Sequence, residues 1–166
     1  MAANRVKGCF HEPHHDHHRC VTAALAGAES YCSRHRLRLT ELRRRVLELV
    51  WASHRPVGAY ALLEQISVDG RKAAPPTIYR TLDFLIEHGL IHRIASLNAY
   101  IGCSHPGADH SARFFICDQC GEAAEVNGTI IDDAISKDAQ RLGFHIDRQT
   151  VEVAGVCAQC DSGRGK

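Results

Sequence analysis

Pro75-Pro76-Thr77-Ile78-Tyr79-Arg80-Thr81-Leu82-Asp83-Phe84-Leu85-Ile86-Glu87-His88-Gly89-Leu90-Ile91-His92-Arg93-Ile94-Ala95 is the stretch that decides the fold. A proline pair suits a first helical turn, where a missing N–H costs no hydrogen bond. The helix it opens, Thr77–His88, sets Ile78, Leu82, Leu85 and Ile86 on one face. Gly89 stands where a left-handed C′ residue ends such a helix. From Leu90 the period changes from 3.6 to 2: Leu90–Ala95 and Ala99–Cys103 alternate on either side of a turn at Ser96–Asn98. A helix followed at once by a hairpin reads as the end of a winged helix-turn-helix.

Upstream, the spacing predicts three helices. The first starts at Cys20 and turns Val21, Ala24, Leu25, Ala28, Tyr31 and Cys32 inward. The second takes Thr40 as N-cap and buries Leu42, Val46, Leu49 and Val50. The third spans Ala59–Ser67 with Leu62, Leu63 and Ile66 inside. Before them, residues 1–19 hold His11, His14, His15, His17 and His18 without apolar periodicity, as expected of a flexible tail. Downstream, the breaker-rich residues 104–111 read as a hinge. A strand Arg113–Cys117, a turn, a strand Glu122–Val126, a helix Ile130–Leu142 (Ile131, Ile135 and Leu142 inward) and a strand His145–Val153 follow. The expected fold is α+β, divided into tail 1–19, winged helix 20–103, hinge 104–112 and a small α/β unit 113–166.

Composition narrows the chemistry. The chain of 166 residues carries 8 Cys and 12 His, an excess of soft and borderline metal ligands. It contains no apolar run long enough to span a membrane, and its first twenty residues lack the apolar segment of a secretory signal. A cytoplasmic location is therefore expected, where thiols stay reduced and metal binding is favoured over disulfides. The formal charge of +1 hides an asymmetry: residues 21–95 hold eleven Lys/Arg against seven Asp/Glu, and residues 96–166 hold six against ten. The basic half is the one placed to meet a polyanion.

Cys117-x-x-Cys120 and Cys157-x-x-Cys160 are the strongest chemical signal. Two such pairs complete a tetrahedral S₄ shell suited to structural Zn²⁺ and leave no open coordination position. The competing expectation is a redox dithiol, for which a second pair is redundant. His92 on the wing, Cys103 at its end, His110 in the hinge and Glu125 on the following strand form a looser N, S, N, O set for a second zinc, with His105 and Asp109 as competing ligands. The tail, with Cys9 and Cys20 flanking its histidines, has no defined site. On the recognition helix, Arg80 can pair with a guanine edge, and Thr77 and Tyr79 can meet phosphate or a thymine methyl. Arg55, Arg71 and Lys72 nearby are placed to anchor phosphates. A winged helix also serves as a protein-binding module, so this face has a second possible use.

Together with Phe115-Ile116-Cys117-Asp118-Gln119-Cys120-Gly121 and Gly155-Val156-Cys157-Ala158-Gln159-Cys160, the opening stretch resembles the ferric uptake regulator family, and within it the zinc uptake regulator branch. The resemblance covers most of residues 21–160. It implies a homodimeric repressor that binds palindromic double-stranded operator DNA when zinc-loaded and represses zinc-uptake genes. It further implies a small α/β dimerisation domain with a structural zinc site, two Zn²⁺ per chain, and no membrane or small-molecule substrate. It assigns the regulatory zinc to His92, Cys103, His110 and Glu125, and base contacts to Tyr60 and Arg80. Two departures stand out. The His/Asp-rich run that the iron and manganese branches carry before the first CxxC is replaced by Ser111-Ala112-Arg113-Phe114-Phe115. Ser67 stands where some zinc regulators carry an arginine that, with an acidic residue like Glu64, joins dimers on DNA. The alternatives are an iron- or peroxide-responsive sibling, a zinc hydrolase, which requires an open metal position and a positioned base, and a thiol oxidoreductase.

Overall fold

A computed structural model of the chain describes residues 17–68, 70, 73–106, 111–126 and 128–161. Four helices come first: α1 (His17–Arg34), α2 (Glu41–Val50), α3 (Ala59–Val68) and α4 (Pro75–Glu87). The wing follows as β1 (Ile91–Ile94) and β2 (Ala99–Gly102). A second unit contains β3 (Ala112–Cys117), β4 (Ala123–Glu125), α5 (Ile130–Leu142), β5 (Thr150–Gly155) and a single turn, α6 (Ala158–Asp161).

The local signals act as expected in the first unit. The Thr40 side chain accepts from the Arg43 amide, capping α2. Pro75 and Pro76 occupy the first positions of α4, and Gly89 beyond its end has φ +61°. Leu25, Val46, Leu47, Leu62, Ile66, Ile78, Leu82 and Leu85 form one buried core that fixes α4 against α2 and α3. The wing is antiparallel, pairing His92 with Ile101 and Ile94 with Ala99. Its turn is tightened by Asn98 at φ +47°, whose Oδ1 accepts from the Arg93 guanidinium.

Two boundaries and one buried face depart most from the sequence expectation. Helix α1 begins at His17, inside the stretch assigned to the tail, because nothing between His17 and Cys20 breaks a helix. The last strand starts at Thr150 instead of His145. The Gly143 cap (φ +64°) and the Phe144 amide, bonded to Ala139 O, close α5, and the chain needs residues 145–149 to return beside Ala112. The third difference concerns α5, where Ile131 is 38% and Leu142 is 81% exposed, although both were expected inside. Ile135 is half-buried, and Ala139 is the one residue of the helix that is buried.

The second sheet has the order β4-β3-β5, with β4 antiparallel and β5 parallel to β3. Asp132 of α5 is tied to this sheet by the buried Arg113 guanidinium at 3.4 Å and by the Gln149 amide at 2.8 Å. Ile94 and Ile101 of the wing share a second core with Ala112, Phe114, Ile116 and Ala123. The wing thus lies on the sheet, and the Ala123 amide adds a bond to His54 O of the first unit at 3.1 Å.

Candidate metal centres and nucleic-acid interface

Parallel pairing explains how two distant CxxC pairs meet. Cys117 ends β3 directly beside Gly155, which ends β5, so the two turns that follow stand side by side. Gly121, at φ +72°, lets its amide reach Cys117 O, and the amides of Cys160 and Asp161 return to Cys157 O. The four sulfurs lie within 4.8 Å of one another. Cys120 Sγ and Cys157 Sγ are 3.9 Å apart. Sulfurs about 2.3 Å from a tetrahedral zinc stand about 3.8 Å apart, whereas a disulfide requires about 2.05 Å. The donor set therefore fits a closed tetrathiolate ion site.

Electrostatics favour the same occupant. Amides of Cys120 and Cys157 donate toward Cys117 Sγ and bring its pKa down to about 6. The Cys160 thiol is pushed up to about 12, first by its side-chain contact with Cys157 and then by burial. The Cys117 thiolate forms readily, and the Cys160 thiol resists until a cation neutralises the cluster.

His92, Cys103 and Glu125 form the second cluster, also within 4.8 Å. His92 comes from β1, Cys103 follows β2, and Glu125 closes β4, so the cluster joins the wing to the sheet. His92 Nε2 is 3.1 Å from Glu125 Oε1, near the separation of about 3.3 Å for two ligands of a tetrahedral zinc. The other carboxylate oxygen accepts the Ser104 amide at 2.9 Å, and the His105 amide donates to Cys103 Sγ at 3.4 Å. Phe114 supports the imidazole edge-on at 5.4 Å. Burial, and then the Glu125 charge, push the Cys103 thiol up to about 12. A donor set of imidazole, thiol and carboxylate suits zinc. His105 is exposed and lies outside the cluster. His110 and Asp109 lie outside the described residues, as do Cys9 and the histidines before His17.

Sequence reasoning missed what surrounds this cluster. Trp51 packs so closely on Gly102 that a Cβ there would overlap its ring. The same indole, with His54 and Cys20, lines a cavity of about 330 Å³ that reaches Cys103 and Glu125. The signal was present as the chain's lone tryptophan and a glycine inside a strand.

In the first unit, Thr77, Tyr79 and Arg80 are exposed along α4, while Ile78 and Leu82 anchor the helix in the core. Tyr60, near the start of α3, is 75% exposed. Lys72 and Arg71 lie outside the described residues.

A winged helix packed on a small sheet, with a candidate ligand cluster between them and four thiols gathered at the ends of β3 and β5, defines a two-module metal-binding protein. The chain belongs to the ferric uptake regulator family, whose model matches residues 34–154. It is 36% identical over 137 residues to the zinc uptake regulation protein of Escherichia coli (strain K12), covering 82% of this chain and 80% of that one. Among solved structures it resembles a zinc uptake regulator complexed with zinc and DNA (34% identity, TM-score 0.82, covering 88% of this chain and 98% of the other). The holo form of XcZur gives 40% identity and a TM-score of 0.78, covering 84% and 98%. The apo form of XcZur, at the same 40% identity and covering 86% and 98%, gives only 0.50.

Proposed function

We propose that this chain is a zinc-responsive transcriptional repressor that acts in the cytoplasm, binds operator DNA as a homodimer when zinc-loaded, and represses zinc-uptake genes. The observation that carries this is the cluster of two wing ligands, His92 and Cys103, with one sheet ligand, Glu125. A ligand set divided between two modules responds to the ion by changing how they sit together. His110 supplies the fourth ligand, and Cys117, Cys120, Cys157 and Cys160 hold a second, structural ion, giving two Zn²⁺ per chain.

Zinc, when bound, supplies a cation that holds the thiolate of Cys103 and the carboxylate of Glu125 at one point. His92 and Cys103 then fix the wing on the sheet, and the wing fixes α4. Arg80 and Tyr60 read base edges, while Thr77, Tyr79 and Lys72 contact backbone or base. The low TM-score to apo XcZur beside the high score to its holo form supports the observed packing of wing on sheet as the zinc-bound arrangement. Phe115 and Val153, paired across β3 and β5, are each 40% exposed, and Ile130 and Phe144 at the two ends of α5 are exposed as well. This face and the outer edge of β5 form the dimer contact.

A gel-shift titration with a palindromic operator tests the proposal. Operator affinity should rise about 5–150-fold on adding zinc, the range of ordinary allosteric coupling. Iron and manganese should not substitute. Affinity unchanged when exchangeable zinc is removed would overturn the proposal.

A further inference from the structure

The ladder of the second sheet puts Glu125, Phe114 and Glu152 in one row, because Phe114 pairs with Glu125 on β4 and with Glu152 on β5. Directly paired residues project from the same face. Phe114 is fully buried in the core it shares with Ile94 and Ile101 of the wing. The wing therefore rests on the middle of the row with a carboxylate at each end. Glu125 meets its base, at His92 and the Ser104 amide. Glu152 meets its tip: Oε1 accepts the Ala95 amide at 2.7 Å and Oε2 the Ser96 amide at 3.0 Å.

Two successive amides aimed at one carboxylate form an anion-binding nest, and a charged acceptor makes both bonds stronger than neutral ones. Burial pushes the Glu152 carboxyl up, and the Ser96 hydroxyl together with the two amides more than offsets it, holding the group below its ordinary range. Loss of Glu152 leaves the metal ligands intact but frees the far end of the wing. We infer that Glu152 is a positioning residue for the regulatory zinc site: its carboxylate latches the wing tip to β5 so that His92 and Cys103 stand within reach of Glu125. This rests on the proposed function above, and it adds a determinant of metal affinity that ligates no metal.

The test uses the full chain carrying its tetrathiolate ion. Regulatory-site zinc affinity is measured by competition with a chromophoric chelator for the unaltered protein, Glu152→Ala and Glu152→Gln. Thermal melting and tightly bound zinc are followed in parallel. A ligand whose binding-competent state is less populated binds proportionately more weakly, so Glu152→Ala should need about tenfold more free zinc for half-saturation. Glu152→Gln keeps one carbonyl acceptor and should fall between the two. The tightly bound ion should remain, which separates lost positioning from a damaged fold. Zinc affinity within twofold of the unaltered protein in both variants would overturn the inference, and Glu152→Gln alone decides if Glu152→Ala does not fold. Operator binding is measured on the same samples. An unaltered protein that takes up zinc without a change in DNA affinity would refute the proposed function, while the chelator competition still decides the latch.

Discussion

Replacing Gly102 by alanine probes the packing behind the cluster of His92, Cys103 and Glu125 proposed as the regulatory site. A Cβ at this position would overlap Cε2 and Nε1 of the Trp51 indole and stand 2.6 Å from Cδ2. Carbon atoms pack at about 3.5–4.0 Å, so the ring must retreat by about an ångström or more. Overpacking of this kind costs about 1–3 kcal/mol, and in a domain of this size lowers Tm by about 2–12 °C. Cys103 is the next residue along the chain and lines the same cavity as Trp51. Regulatory zinc affinity should therefore fall about 10–100-fold, as when the support behind a metal ligand is lost, while the tetrathiolate ion stays bound. The chain holds 1 Trp, so its fluorescence reports this position without labelling. A double-mutant cycle supplies the control. In a Trp51→Ala background Gly102→Ala should be nearly neutral, giving a coupling of about 1–3 kcal/mol. Additive penalties would refute the reasoning, because they would mean that the glycine answers to something other than the indole.

Cys103→Ser should lower zinc content by one ion per chain and leave the melting of the tetrathiolate module in place, measured by elemental analysis and calorimetry. Cys117→Ser should remove both ions, because Glu125 sits on β4 and β4 pairs with the strand that Cys117 ends. Circular dichroism should then show loss of the second sheet, since structural zinc contributes folding energy directly. Arg80→Ala should cost about 1–3 kcal/mol against the operator and relax preference at one base position, read by competition binding; a change confined to the salt slope would make Arg80 a phosphate contact. Phe115→Lys should shift sedimentation toward monomer, because it puts a charge in the apolar face shared with Val153.

The legible parts of the fold were those with local causes. Thr40, the proline pair and Gly89 marked α2 and α4 because caps and φ restrictions act within a few residues. The two CxxC pairs announced a thiolate centre because four sulfurs at that spacing have few other uses. What the pattern misjudged depended on partners far along the chain. Ile131 and Leu142 fit a helical stripe, yet the stripe points away from this chain's own core, and periodicity cannot say whether a buried face meets its own chain or another. Glu152 alternates like an ordinary strand carboxylate, and its partners Ala95 and Ser96 lie more than fifty residues away. Of the second cluster, His92, Cys103 and Glu125 converge on one point. Their pattern in the sequence carries no spacing rule, because the wing has to dock before they become neighbours.

That docking has to be weak by itself. Its apolar part on the wing side consists of Ile94 and Ile101, both buried against Phe114 and its neighbours. Full burial of two such side chains is worth about 3–6 kcal/mol, an upper bound because an open form also hides some of that surface. Ordering the wing side chains opposes this gain with conformational entropy. A zinc-responsive switch needs a balance of this kind, because a ligand that prefers one form by about 5.5 kcal/mol moves a population from 1:99 to 99:1. A larger apolar contact would close the modules without metal and hold the recognition helices ready at all times. In the proposed reading, a wing docked through so modest an apolar contact leaves the decision to the ion that His92, Cys103 and Glu125 would share.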